Sequence, residues 1–246
     1  MAICLLVRHG RTTANATGVL AGWTPGTALD DTGREQAARL GARLADVPLA
    51  VVVTSPLQRC LETTEELLHH IPGSSRPSVS VDDRVGEARY GAWTGRSLTD
   101  LAQDPLWRDV QDRPSQVVFP PHPEHEHEGL AEMSRRAVEA LTEWDAHVEL
   151  EHGPAGVWLA VSHGDVIKAM LAHALATPLD DFQRIVVDPA SVSIVHQTSA
   201  RPFVLRTNDT GSDPVDLSGL VARLTQHGPA GDAAVGGGAG DGSPRT

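Results

Sequence analysis

Three short polar runs in this chain have residue types and spacing suited to phosphoryl chemistry. Arg8-His9-Gly10-Arg11-Thr12-Thr13-Ala14-Asn15 follows one apolar stretch, Ser55-Pro56-Leu57-Gln58-Arg59 a second, and Ser162-His163-Gly164-Asp165 a third. Arginine forks pair bidentately with phosphate oxygens, so Arg8 and Arg59 beside two imidazoles can surround and neutralise one tetrahedral dianion. A neutral imidazole inside that cage can attack phosphorus, and the resulting phosphohistidine splits one hard displacement into two easier ones. Neighbouring cations keep such a ring neutral. The departing alkoxide needs a proton, which a positioned carboxylic acid supplies for roughly 10²–10⁴ in rate. Glu87, in Gly86-Glu87-Ala88-Arg89-Tyr90-Gly91-Ala92-Trp93, is the candidate acid.

These residues can meet only if the elements carrying them end at one place. Residues 2–7, 49–53 and 157–161 are apolar runs of strand length without polar alternation, as in parallel strands covered on both faces. The carboxyl ends of parallel strands share one edge of an open sheet, where ligands bind, and each motif follows one of these runs. Glycine after each histidine allows a sharp turn there. Helical spacing predicts a helix over 33–46, with Asp31 or Thr32 as its cap, and another from Pro56 to about residue 70. Further helices are expected over 130–150, with Met133, Ala137, Leu141 and Trp144 on one face, and over 165–176. Residues 79–81 form a short strand in this reading, 191–196 and 203–205 a closing pair, and 87–123 loops with one or two short helices. Strands alternating with helices give one α/β domain with a mainly parallel sheet over 1–208. The composition then shifts to Gly, Ala, Asp and Ser, including Gly236-Gly237-Gly238, and predicts a disordered tail over 209–246.

Arg8-His9-Gly10 with Thr12 and Asn15, Ser55-Pro56 with Arg59, Glu87 with Gly91 and Trp93, and Ser162-His163-Gly164 together resemble the histidine phosphatase superfamily. That superfamily includes the cofactor-dependent phosphoglycerate mutases. The resemblance runs in the family's order over about residues 1–200. It implies a three-layer α/β/α sandwich, His9 as nucleophile, and Arg8, Arg59 and His163 as the phosphate pocket. It further implies Asn15 as an added phosphate contact, Glu87 as acid and then base, and no metal; no cofactor is expected. Gly10, Ala21, Gly22 and Tyr90 join the expected phosphate and substrate contacts. Ala21-Gly22-Trp23 stands where the family's loop touches substrate, although Trp23 suits packing equally well.

Composition narrows the alternatives. The 246 residues carry 32 acidic and 20 basic side chains, a formal net charge of −12, which argues against a nucleic-acid surface. No apolar run reaches the roughly 18 residues needed to span a bilayer, and the N-terminus lacks the pattern of a secretory signal. Cys4 and Cys60 cannot make a disulfide framework, so a cytoplasmic protein acting on a small phosphorylated metabolite is expected. Nothing sets the oligomeric state, and a homo-oligomer stays open. Cysteine phosphatases need Cys-x₅-Arg, a spacing neither cysteine has, and the sole lysine, Lys168, stands in no phosphate loop.

Mutases and phosphatases share the first half-reaction and differ in what meets the phosphohistidine, a second hydroxyl or water. The mutases carry a base-rich insertion after the acid; here 94–130 offers Arg96, Arg108 and Arg113 among many acids and prolines. Their Glu-Arg-His-Tyr-Gly is Glu87-Ala88-Arg89-Tyr90-Gly91 here, and Asp165 replaces their Asn, an acid that disfavours a second anion or simply caps its helix. A phosphatase is therefore the favoured reading, a mutase the alternative, and a phosphate-binding module with vestigial chemistry the third. Glu124, Glu126 and Glu128 compete with Glu87, from a loop expected to overhang the pocket. His122, His125 and His127 with those acids have ligand chemistry for zinc, yet a Pro-containing loop reads more simply as solvated, or as a lid.

Overall fold

The computed structural model describes residues 2–218, 221 and 222. Six strands form one sheet: β1 (Ile3–Arg8), β2 (Leu49–Thr54), β3 (Ser78–Val81), β4 (Val157–Ser162), β5 (Val192–His196) and β6 (Phe203–Asp209), in the order β3-β2-β4-β1-β5-β6. The first four in that order run parallel, while β5 and β6 close the other edge antiparallel. Two helix layers sandwich it. Ile3, Leu5 and Val7 of β1 face Leu40 and Leu44 of α2 (Asp31–Leu44) and Leu67 of α3 (Gln58–His69). Ala2, Cys4 and Leu6 point the other way, toward Met133 and Leu141 of α6 (Leu130–His152) and Ile167 and Met170 of α7 (Gly164–Ala174). Both faces of β1 are thus covered, which is why its sequence shows no polar alternation. The remaining helices are short: α1 (Thr13–Ala16), α4 (Leu98–Leu101) and α5 (Pro105–Asp112), the last two in the segment expected to be mostly loop.

Several boundaries differ from the sequence expectation for local reasons. The cap of α2 is Asp30, whose carboxylate accepts the Gly33 N–H, because Gly33 must lie against the backbone of Arg11: a Cβ there would stand 2.0 Å from the Arg11 carbonyl oxygen. Pro56 lies outside α3, whose cap is Leu57; a residue before proline is held extended, so Ser55 continues the line of β2. The expected domain end at residue 208 falls inside β6, and Val215 and Leu217 pack into the core between sheet and α2–α3. Arg43 holds this segment through the Asp209 carboxylate and the Asp213 carbonyl, at 2.9 and 2.8 Å. Packing therefore continues beyond 208, and most of the expected tail lies outside the described residues.

Candidate active site

Strand register brings the two histidines together. Arg8 lies level with Ser162 across the parallel β1–β4 pair, so the next residue of each strand leaves the sheet beside the other. The His9 N–H donates to the Ser162 carbonyl at 3.0 Å, and the two rings lie 5.2 Å apart at 61°. On the far side of β4, β2 ends at Thr54 and delivers Ser55, and then Arg59 in the first turn of α3. His9, His163 and Arg59 are all buried. Gly10 ties the arrangement to α3, its N–H donating to Thr63 Oγ1 at 3.0 Å.

Hydrogen bonding fixes both tautomers. His9 Nδ1 lies 2.7 Å from the Gly10 carbonyl, which can only accept, so Nδ1 carries the proton and Nε2 presents a lone pair. That lone pair accepts from Arg59 Nε at 3.2 Å. His163 Nδ1 accepts from Arg59 Nη2 at 3.2 Å, leaving its Nε2–H to donate to Ser55 Oγ at 2.8 Å. Burial, and then the charges of Arg59 and Arg8, hold the His9 imidazolium well below the usual histidine range. His163 moves in the same direction, through burial first and then Arg59. Two neutral rings beside two guanidinium groups result. Arg59 is further aimed by the Gly22 carbonyl, which accepts from Nη2 at 2.9 Å. Arg8 gives Nη1 to the Val187 carbonyl at 2.7 Å, while its buried Nε–H has no protein partner among the described residues. An anion between the two arginines would satisfy that donor.

Glu87 closes the cage. Its Oε2 lies 3.6 Å from His163 Nδ1 and 3.7 Å from Arg59 Nη2, and its Oε1 accepts the Ala88 N–H at 3.0 Å. Burial pushes this carboxyl above the ordinary glutamate range; Asp165 adds to the shift, while Arg59, the Ala88 N–H and Arg8 oppose it. A carboxyl raised in this way can keep a proton to give. Its backbone is clamped from two sides. The Trp23 indole donates to the Glu87 carbonyl at 2.7 Å, and Arg136 of α6 donates to the carbonyls of Arg84, Gly86 and Glu87 at 2.7 to 2.9 Å. Buried Glu128 holds Arg136 in a two-point pair at 2.6 and 3.0 Å.

All of this opens into one cleft of about 670 Å³. Among the residues expected from sequence, Arg8, His9, Asn15, Ala21, Gly22, Arg59, Glu87 and Tyr90 line it, whereas His163 lies behind Arg59 and Gly10 is outside the wall. The reason for glycine at 10 is also different: its φ is not positive, and a Cβ would stand 2.5 Å from the Gly33 carbonyl oxygen, so close approach rather than a turn requires it. The Asn15 amide oxygen is occupied by the Thr12 N–H and hydroxyl, a cap for α1. Tyr90 spends its hydroxyl on carboxyl groups rather than facing the cleft freely. Neither Glu124, Glu126, Glu128 nor the histidines at 122, 125 and 127 reach the cleft wall. Among the described residues no three His, Cys, Asp or Glu side chains gather as a metal would need. Sequence reading missed Thr63, Arg136 and the Val187 carbonyl, whose roles come from contacts between distant segments that no local motif encodes, and it placed Ser55 in a motif without showing its contact to His163.

A sequence model of the histidine phosphatase superfamily (branch 1) matches residues 4–210. The chain belongs to that superfamily. Histidine phosphatases similar to it include the glucosyl-3-phosphoglycerate phosphatase of Mycolicibacterium vanbaalenii, 31% identical over 189 residues, covering 72% of this chain and 76% of the relative. A 2,3-bisphosphoglycerate-dependent phosphoglycerate mutase of Thermobifida fusca is 28% identical over 238 residues, covering 85% and 88%. Among solved structures, YhfR of Bacillus stearothermophilus superposes with a TM-score of 0.74 at 29% identity, over 86% of this chain and 99% of that one. Superfamily relatives thus include both phosphatases and mutases, and the six-stranded, mostly parallel sheet with helices on both faces belongs to a fold that superposes on that of YhfR.

Proposed function

We propose that the protein is a metal-independent phosphatase of small phosphomonoesters, with the phosphoryl group passing through His9 Nε2. The observation that carries this reading is the fixed tautomer of His9, whose Nε2 lone pair points at Arg59 inside a buried pair of guanidinium groups. The ester's phosphate takes the arginine N–H groups; Nε2 forms a bond to phosphorus as the ester P–O bond breaks, and Glu87 gives its proton to the leaving oxygen. Glu87, now a carboxylate, takes a proton from water as that water attacks the phosphohistidine, restoring His9 and releasing phosphate. Positive charge for the transferring group comes from Arg8 and Arg59, and neutral His163 helps to hold Arg59 through its Nδ1.

A phosphatase is favoured over a mutase by the variable segment. Arg96, Arg108 and Arg113 pair with Asp104, Asp112 and Asp109, and none reaches the cleft wall. No base-rich clamp for a second anion forms there, and Asp165 and Asp188 add acids to the wall. Turnover of p-nitrophenyl phosphate that is lost in His9→Ala and survives a chelator supports the reading; turnover kept by His9→Ala sinks it. Absence of 3-phosphoglycerate isomerisation, with or without bisphosphoglycerate, is the expected result against the mutase. Cys4 and Cys60 are both buried and unpaired, which suits a reducing, cytoplasmic compartment.

A further inference from the structure

The Tyr90 hydroxyl lies 3.2 Å from Glu87 Oε1 and 3.2 Å from Asp165 Oδ2. It owns one proton. Two hydrogen bonds along this row of three oxygens require a second proton, because an ionised carboxylate can only accept. On the far side of Asp165, Oδ1 takes the ammonium of Lys168 at 3.2 Å, and Lys168 also donates to Gln183 Oε1 at 3.0 Å. Asp165 therefore has a cation on one oxygen and the tyrosine on the other, the surroundings of a carboxylate. Glu87 has no such partner on Oε1, only the Ala88 N–H, and Arg59 stays 3.7 Å from its Oε2 with Nε and Nη2 already committed to His9, His163 and the Gly22 carbonyl.

Resting on the phosphatase reading, we infer that Asp165, paired with Lys168, takes the Tyr90 proton and thereby keeps the second proton on Glu87. Asp165 and Lys168 are positioning residues that keep the general acid loaded. The charged and titratable groups facing Glu87 are Arg8 from β1, Arg59 from α3, His163 and Asp165 at the start of α7, Tyr90 on its own segment, and Arg136 from α6 at its carbonyl. Within that set Asp165 is the negative charge, and it opposes Arg8 and Arg59. Burial alone would also raise Glu87 but would not depend on which way the Tyr90 hydroxyl points. The Asp-x-x-Lys spacing of α7 serves this pairing: the two side chains lie one helical turn apart, and both line the cleft.

The test is an infrared titration of the unliganded protein, following the carboxylic-acid carbonyl band in the wild-type minus Glu87→Gln difference spectrum, which isolates Glu87. The band is expected to disappear with a midpoint about one pH unit lower in Asp165→Asn, a tenfold loss of proton affinity. Tyr90→Phe distinguishes the two hydroxyl directions. A tyrosine that accepts from Glu87 stabilises its protonated form, so its removal lowers the midpoint. A tyrosine that donates to Glu87 does the reverse, and a raised midpoint would overturn the inference. An unmoved midpoint in Asp165→Asn, or a band that persists in Glu87→Gln and vanishes in Asp165→Asn, would overturn it too. In turnover, Asp165→Asn is expected to slow β-glycerophosphate on the order of tenfold at neutral pH and p-nitrophenyl phosphate less than about twofold; equal slowing of both would count against the assignment. The infrared result needs no catalysis, so it stands apart from the His9→Ala test of the phosphatase reading.

Discussion

Arg59 does more jobs than any other side chain in the cleft: it donates to His9 Nε2, to His163 Nδ1 and to the Gly22 carbonyl while remaining 2% exposed. A substrate phosphate would meet the same N–H groups in the ground state and in the transition state. Arg59→Ala is therefore expected to raise KM and lower kcat together, with kcat/KM down on the order of 100-fold, as loss of a charged hydrogen-bond pair implies. Steady-state kinetics check this, and unchanged constants would remove Arg59 from its role. Glu87→Gln tests the acid differently. An ester with a poor leaving group needs the proton and a p-nitrophenyl ester scarcely does, so the variant should slow β-glycerophosphate far more than p-nitrophenyl phosphate. Equal slowing would point to another acid. Cys60, beside His163 Nε2 at 3.5 Å, stays out of the chemistry, since burial pushes its thiol up to about 12.

At the scale of elements, the site depends on segments that meet only through packing. The Glu87 segment is fastened to α6 by Arg136, and Arg136 is balanced by buried Glu128. Removing one partner strands the other charge, so Arg136→Met is expected to cost about 3–5 kcal/mol of unfolding free energy. The double variant Glu128→Leu/Arg136→Met should recover the part that comes from the stranded Glu128 charge in denaturant titrations, while the carbonyls of Arg84, Gly86 and Glu87 stay without their donor and activity stays low. A double variant no more stable than the single one would show that the pair is not the source of the cost. The motifs themselves were legible: apolar strands followed by His-Gly or Ser-Pro placed Arg8, His9, Arg59 and His163 at one sheet edge. The Glu128–Arg136 pair was not, because in sequence Glu128 is one of three acids in a polar loop and only the fold separates it from Glu124 and Glu126. Asp165 read as a possible helix cap for the same reason; its partners are Tyr90, from a distant loop, and Lys168.

For the molecule as a whole, one buried acid outside the cleft sets a pH dependence of stability. Asp145 on α6 takes the Ala2 N–H at 3.2 Å and the Trp158 indole at 3.4 Å, linking α6 to the start of β1 and to β4. Burial is the main cause that raises its carboxyl to about 6, opposed by those two hydrogen bonds. The folded state then binds the Asp145 proton more tightly than the unfolded chain, so the contribution of Asp145 to stability falls as pH rises from about 4 to about 6. The buried neutral His9 and His163 contribute in the opposite direction as the unfolded chain loses its histidine protons. The Asp145 contribution should fall by ~3 kcal/mol, read as the change with pH of the stability difference between wild type and Asp145→Asn in urea unfolding across that range. A wild-type minus Asp145→Asn difference that stays constant or rises over that interval would contradict the assignment. The sandwich was readable from strand and helix periodicity because β1 and β4 are buried on both faces. The end of the packed region was not, because Val215 and Leu217 are isolated apolar residues in a polar stretch and gain meaning only against Arg43 and the α2 face.

The most direct measurement is intact mass after a rapid quench during turnover of a phosphomonoester. The proposed route places one acid-labile, base-stable phosphoryl group on His9, absent from His9→Ala. Turnover proceeding with no such adduct at any time point, or an adduct that survives in His9→Ala, would contradict the route through His9 Nε2.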